Sequence, residues 1–167
     1  KVLDTLAVQL QSENPKPLKV RKSKIKREPH FKVGDVLAVK FKDNYGAIFV
    51  SDVDQSPRKI EYHLACTRLL QADKPSMDDF LNSQISCRKD NTNFGIDTDC
   101  WFTHKDLGLL LDDLEIIGTV ELYPCKLWKL APAGTLDDIY NEITDEPRTG
   151  RLRLIDTNEL VKDIVHQ

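Results

Sequence analysis

The stretch Phe31-Lys-Val-Gly-Asp-Val-Leu-Ala-Val-Lys-Phe41, followed after a short polar turn by Tyr45-Gly-Ala-Ile-Phe-Val50, decides the fold. Val33-Gly34-Asp35 is a turn signal, because glycine permits the backbone geometry and the aspartate carboxylate can bond the N–H groups of the turn. Val36, Ala38, Val39 and Phe41 then make a β-rich run that stops at Lys42-Asp43-Asn44. A second strand is expected from Tyr45 to Val53, with Tyr45, Ala47, Phe49 and Ser51 on one side and Ile48, Val50 and Asp52 on the other. The two read as a hairpin. Residues 54–57 form the next turn, and Ile60, Tyr62, Leu64 and Cys66 alternate in a third strand within residues 59–70. His63 falls on the face opposite Tyr62 and reads as a surface histidine.

Downstream of Pro75 the signals become helical. Ser76, Thr103, Thr135 and Asp156 each stand three residues before an acidic side chain, at Asp79, Asp106, Asp138 and Glu159, the spacing of a helix N-cap. The first predicts a short helix through Phe80 and Leu81. The second predicts one carrying Leu107, Leu110, Leu111 and Leu114, the third one through Ile139, Tyr140 and Ile143. The last is expected to carry Leu160, Val161, Ile164 and Val165. Strands are expected within 94–102, 116–123, 126–130 and 151–155. This order predicts an α+β fold: a strongly bent antiparallel sheet or small SH3-like barrel with inserted and C-terminal helices.

Upstream, Leu3, Leu6 and Leu10 have helical spacing, but eleven residues seldom hold a helix alone in water. Residues 1–11 are therefore expected to be an N-terminal helix, the end of an upstream domain. Residues 12–32 read as a basic linker with Pro15, Pro17 and Pro29, and residues 33–167 as one α+β domain. The net charge of −3 hides a polar division. Residues 16–32 hold eight cations against Glu28, a local charge of +7, whereas residues 33–167 hold 15 Lys and Arg against 24 Asp and Glu. Lys19, Arg21, Lys22, Lys24, Lys26 and Arg27 are the candidate nucleic-acid contacts, acting by counterion release. Residues 16–27 contain no aromatic ring to stack on a base.

No run approaches the roughly 18 apolar residues of a membrane span, and the opening residues lack the pattern of a signal peptide. A cytoplasmic protein with Cys66, Cys87, Cys100 and Cys125 as reduced thiols is the expectation. Cys100 and His104 have the i, i+4 spacing of half a zinc site, but the other half is missing. Residues 90–101 imitate a calcium loop only at Asp90 and Gly95, since Thr92, Phe94 and Trp101 occupy ligand positions. No metal and no cofactor are expected. Nucleophile-elbow and phosphate-loop patterns are also absent, and most of the paired aspartates fall at helix ends, where carboxylates complement the backbone dipole.

The Gly34-Asp35 turn, the apolar strand after it and the Tyr45-Gly46 opening of the next strand resemble an SH3-like immunity-protein family of bacterial polymorphic-toxin loci. The resemblance covers residues 31–70 best, and Ile117-Gly118-Thr119-Val120 looks like a later strand of the same pattern. It implies a non-catalytic protein that binds and neutralises a cognate toxin. It supplies no set of functional residues. From the sequence itself, Asp97, Asp99 and Trp101 share strand parity, so a continuous strand there would put two carboxylates beside an indole. Such a patch suits a toxin or other basic protein. A MazF-type ribonuclease reading, for which Arg58 and Arg68 are available, lacks the surrounding pattern.

Overall fold

The computed structural model describes residues 27–86, 88–89, 96–98, 100–122, 127–129, 133–144, 155–156 and 160–166. β1 (Asp35–Lys40), β2 (Tyr45–Gln55) and β3 (Ile60–Gln71) form the expected antiparallel meander. After α1 (Met77–Leu81), β4 (Arg88–Lys89) and β5 (Ile96–Thr98), β6 (Cys100–Thr103) returns to pair with β3. α2 (His104–Gly108) and a 3-10 turn at Leu111–Asp113 lead into β7 (Leu114–Thr119), which pairs with β1. The main sheet thus runs β6-β3-β2-β1-β7 and is open, with β6 and β7 at its edges; it does not close into the small barrel that was one expectation.

The openness follows from what covers the sheet. β1 buries Asp35 to Ala38 and Val39 in unbroken succession, the pattern of a strand covered on both faces and not of one facing water on one side. Register places Leu37, Ile48 and Cys66 in one cross-strand row and Val36, Phe49 and Ala65 in the next. The first row joins a core with Phe31, Tyr62, Phe102 and Leu107, and with Ile139 and Ile143 from α3 (Leu136–Thr144). The second joins Phe80 of α1, Ile85, Val120 and the C-terminal Val161, Ile164 and Val165. Two apolar layers flank one sheet. Phe31 is only 6% exposed, so packing already begins within the stretch expected to be linker.

A four-stranded sheet in the order β10-β4-β5-β9 adds β9 (Leu127–Lys129) and β10 (Ile155–Asp156), with β5 and β9 parallel. β8 (Glu121–Leu122) pairs with β11 (Val165–His166).

Local chemistry explains most of the helices. Ser76 and Asp79 form a reciprocal capping box on α1, Thr103 caps α2 by accepting from the Asp106 N–H, and Thr135 accepts from the Asp138 N–H at the start of α3. Two helices are shorter than expected. α2 stops at Gly108, so Leu111 falls in the 3-10 turn and Leu114 opens a strand. The last expected helix is a single 3-10 turn, Val161–Asp163, between a bridge at Leu160 and β11. The strand expected over 94–102 is also two strands: β5 belongs to the four-stranded sheet and β6 to the main one. No helix among the described residues is long and apolar enough to cross a membrane.

Candidate functional site

Polar side chains gather where β2, β3 and β6 end together. A β-bulge builds one half. Val50 pairs with Leu64 but Asp52 pairs with His63, leaving Ser51 as the extra residue. The bulge reverses strand parity, so Asp52 shares the Phe49 face, contrary to the alternation expected from the sequence. A row then crosses three strands: Asp52, His63 and Trp101. His63, expected at the surface, is only 7% exposed. The half-buried Trp101 ring carries the Lys59 ammonium 5.7 Å from its centroid, within cation–π range. Lys59 also stands 2.5 Å from Glu61 Oε1, a close ion pair without the alignment of a hydrogen bond. The indole assigned to a basic partner thus already faces a cation of its own chain.

Asp97 pairs through its backbone with Arg88 and Trp128 in the other sheet, while Trp101 pairs with His63. Strand parity therefore does not carry from one to the other. Asp99 lies outside the described residues, as do Lys19, Arg21, Lys22, Lys24 and Lys26, the 1–11 segment and Asp90 to Gly95. Arg27 is described and exposed. Arg58 lies exposed in the β2–β3 turn, and Arg68 is half-buried on β3 with its backbone N–H on the Gln84 carbonyl. Cys66 and Cys100 are buried free thiols with sulfurs 3.9 Å apart. Among the described residues no group of three His, Cys, Asp or Glu is placed to hold a metal, and Cys100 does not share a site with His104, whose ring is engaged elsewhere.

That engagement is the other half of the sheet end. His30 stacks on His104 with ring centroids 4.0 Å apart and planes 7° from parallel. The His30 backbone N–H donates to the Tyr62 hydroxyl at 2.9 Å, and the hydroxyl lies 2.9 Å from His104 Nδ1. Burial raises the Tyr62 pKa against the opposing effect of the His30 N–H, so the phenol keeps its proton and donates it to the neutral imidazole. The His104 pKa is lowered, first by desolvation, then by the charges of His30 and Arg27. Thr103, Lys105 and Asp106 flank the ring on its own element, with the Asp106 carboxylate bonded to the Thr103 hydroxyl.

A pH dependence follows from this cluster. A histidine whose folded pKa lies below its unfolded value of 6.5 contributes stability in full above that pH and loses it as pH falls through the lower folded value. Urea unfolding at stepped pH should show wild type losing stability below about pH 6.5, and His104→Gln losing less over the same interval. Equal losses in the two proteins would show that the stack does not couple to protonation.

A third feature lies on the open edge. Ala133 N–H bonds to the Trp101 carbonyl along β6, whereas no described strand covers the outer side of β7. Just before and within β7, Leu109 is 73% exposed, Leu111 37% and Ile116 50%, interleaved with Asp112, Asp113 and Glu115. An edge strand invites pairing with copies of itself. Here Glu115 and a register shift opposite Val36/Leu37, which leaves Ile117 unpaired, oppose it. Sequence periodicity read these leucines as one buried helical face and so missed the patch. Gly108, a helix-stop residue followed by the Asp112-Asp113 pair, was the signal against that reading. Scans against protein-family models, curated proteins and solved structures return no significant match to this chain.

Proposed function

We propose that the chain is a non-catalytic protein-binding domain of the immunity type that residues 31–70 resemble, neutralising a basic toxin through the acidic, partly apolar edge around β7. The observation that carries this reading is the run from Leu109 to Ile116. Three exposed large apolar side chains lie there among three carboxylates, on the uncovered edge of the sheet. Exposed apolar surface rimmed by charge is the composition of a protein interface: the apolar groups supply buried area, and the acids speed encounter with a cation-rich partner. The excess of acids over bases in residues 33–167 points the same way. The edge carries the proposal in preference to the Trp101 ring, which Lys59 already faces.

The test is co-expression with the product of the neighbouring gene, reading both complex formation and survival of the cells. Wild type is expected to bind and protect. The double variant Leu109→Glu/Ile116→Glu, altered only at exposed positions, should keep its circular dichroism and bind at least about tenfold more weakly. Absence of both binding and protection in wild type overturns the reading, as does a double variant that binds as tightly as wild type. The +7 charge of residues 16–32 supports a second reading, nucleic-acid association. It requires salt-dependent binding of duplex DNA or single-stranded RNA that disappears when residues 16–26 are removed.

A further inference from the structure

Beside the edge lies a cleft of 430 Å³ between the β1–β2 turn, Asp113 and the first turn of α3. Its size falls in the range that accommodates a small ligand or one large side chain. Phe41 and Tyr140 form an apolar wall, meeting edge to face with centroids 5.2 Å apart at 78°. Gly46 fixes that wall. A Cβ there would stand 2.6 Å from Ile143 Cδ1 and 3.0 Å from Phe41 Cε2, so only glycine lets α3 lie this close to β2. The turn is closed by the Phe41 N–H on the Asn44 carbonyl at 2.8 Å.

Charge decides the occupant. Asp43, Asp113 and Asp137 line the cleft, and none of the three is ion-paired among the described residues. Lys40 and Lys42 also reach it, but both are exposed and free to turn toward water. An anion would otherwise be drawn to the start of α3. Asp138 already accepts there from the backbone N–H groups of Gly134 and Thr135, Thr135 accepts from the Asp138 N–H, and Asp137 adds a further negative charge. The site therefore favours a flat cation with an apolar stem.

We infer that the cleft takes an arginine side chain of the partner, its guanidinium laid against Tyr140 and held by Asp113. This rests on the proposed binding of a basic protein, and Asp113 ties the two features together because it belongs to both the edge run and the cleft. Arginine suits the site better than lysine. Its planar fork stacks on an aromatic face and bonds a carboxylate through two parallel N–H groups, while an ammonium does neither as well.

N-acetyl-arginine methylamide titrated into the 15N-labelled full chain tests the site without any toxin. Saturable shifts are expected at the amides of Asn44, Asp113 and Tyr140. Binding should weaken about tenfold in the isosteric Asp113→Asn, whose remaining spectrum serves as the folding control, and similarly in Tyr140→Leu. N-acetyl-lysine methylamide should bind more weakly, and inorganic phosphate should not bind at these amides. No saturable response, unchanged binding in Asp113→Asn, or phosphate binding at the same amides overturns the inference. If the toxin complex forms and Asp113→Asn leaves its affinity unchanged, the cleft assignment fails while the function stands. An arginine response in a chain that binds no toxin supports the cleft as an arginine site and removes the toxin reading instead.

Discussion

Gly34→Ala is expected to destabilise the protein by about 3 kcal/mol or more, a large share of the roughly 5–15 kcal/mol that holds a domain folded. Gly34 has φ +90°, a region in which an L side chain is strained by about 1–2 kcal/mol. A Cβ would also stand 2.1 Å from the Val120 carbonyl oxygen, which is backbone and cannot swing aside. Relief requires the start of β1 and the end of β7 to separate. That movement breaks the 2.8 Å bond from the Val120 N–H to the Gly34 carbonyl and disturbs the one from the Gly34 N–H to the Val50 carbonyl. One added methyl thus loosens three strands together. Gly134→Ala is the control, because nothing lies within 4 Å of its Cβ position, and its effect should stay within about 0.5 kcal/mol. Urea midpoints of the two variants check this, and equal midpoints would refute the argument.

The same glycine marks how much of the fold could be read along the chain. The Gly34-Asp35 turn, the hairpin after it and the third strand are local features, and all three are present. The caps at Ser76, Thr103 and Thr135 are equally local and equally present. The errors have nonlocal causes. Residues 31–70 are compatible with a barrel or an open sheet, because the choice depends on what arrives later to cover each face: Phe80 and Ile85 on one side, Leu107 and Ile139 on the other. The Ser51 bulge leaves no composition signal, so Asp52 was placed on the wrong face and the Asp52–His63–Trp101 row could not be seen. His30 meets His104 only because β3 carries Tyr62 between the chain entering β1 and α2. Nothing in the spacing of the two histidines announces a stack.

Phe49→Ala separates the two architectures most sharply. Phe49 is fully buried at the centre of β2 and meets Phe80 of α1 edge to face, with centroids 5.8 Å apart at 74°. Its neighbour Ile48 is also fully buried, but in the opposite apolar layer. In a small closed barrel one of two adjacent residues points inward and the other outward, so only one truncation would be costly. In an open sheet covered on both faces both are costly. Phe49→Ala should lose about 3–5 kcal/mol and Ile48→Ala about 2–5 kcal/mol, measured by urea unfolding. A near-neutral result at either position would remove the covering layer on that face. Double-mutant coupling between Phe49 and Phe80 should amount to about 0.5–1.5 kcal/mol beyond the area they bury, while Ile48 and Phe80, on opposite sides of the sheet, should add independently. The contrast between those two couplings reports directly that α1 sits on the Phe49 side, leaving the Ile48 side to α2 and α3, and it is α3 that forms one wall of the arginine cleft.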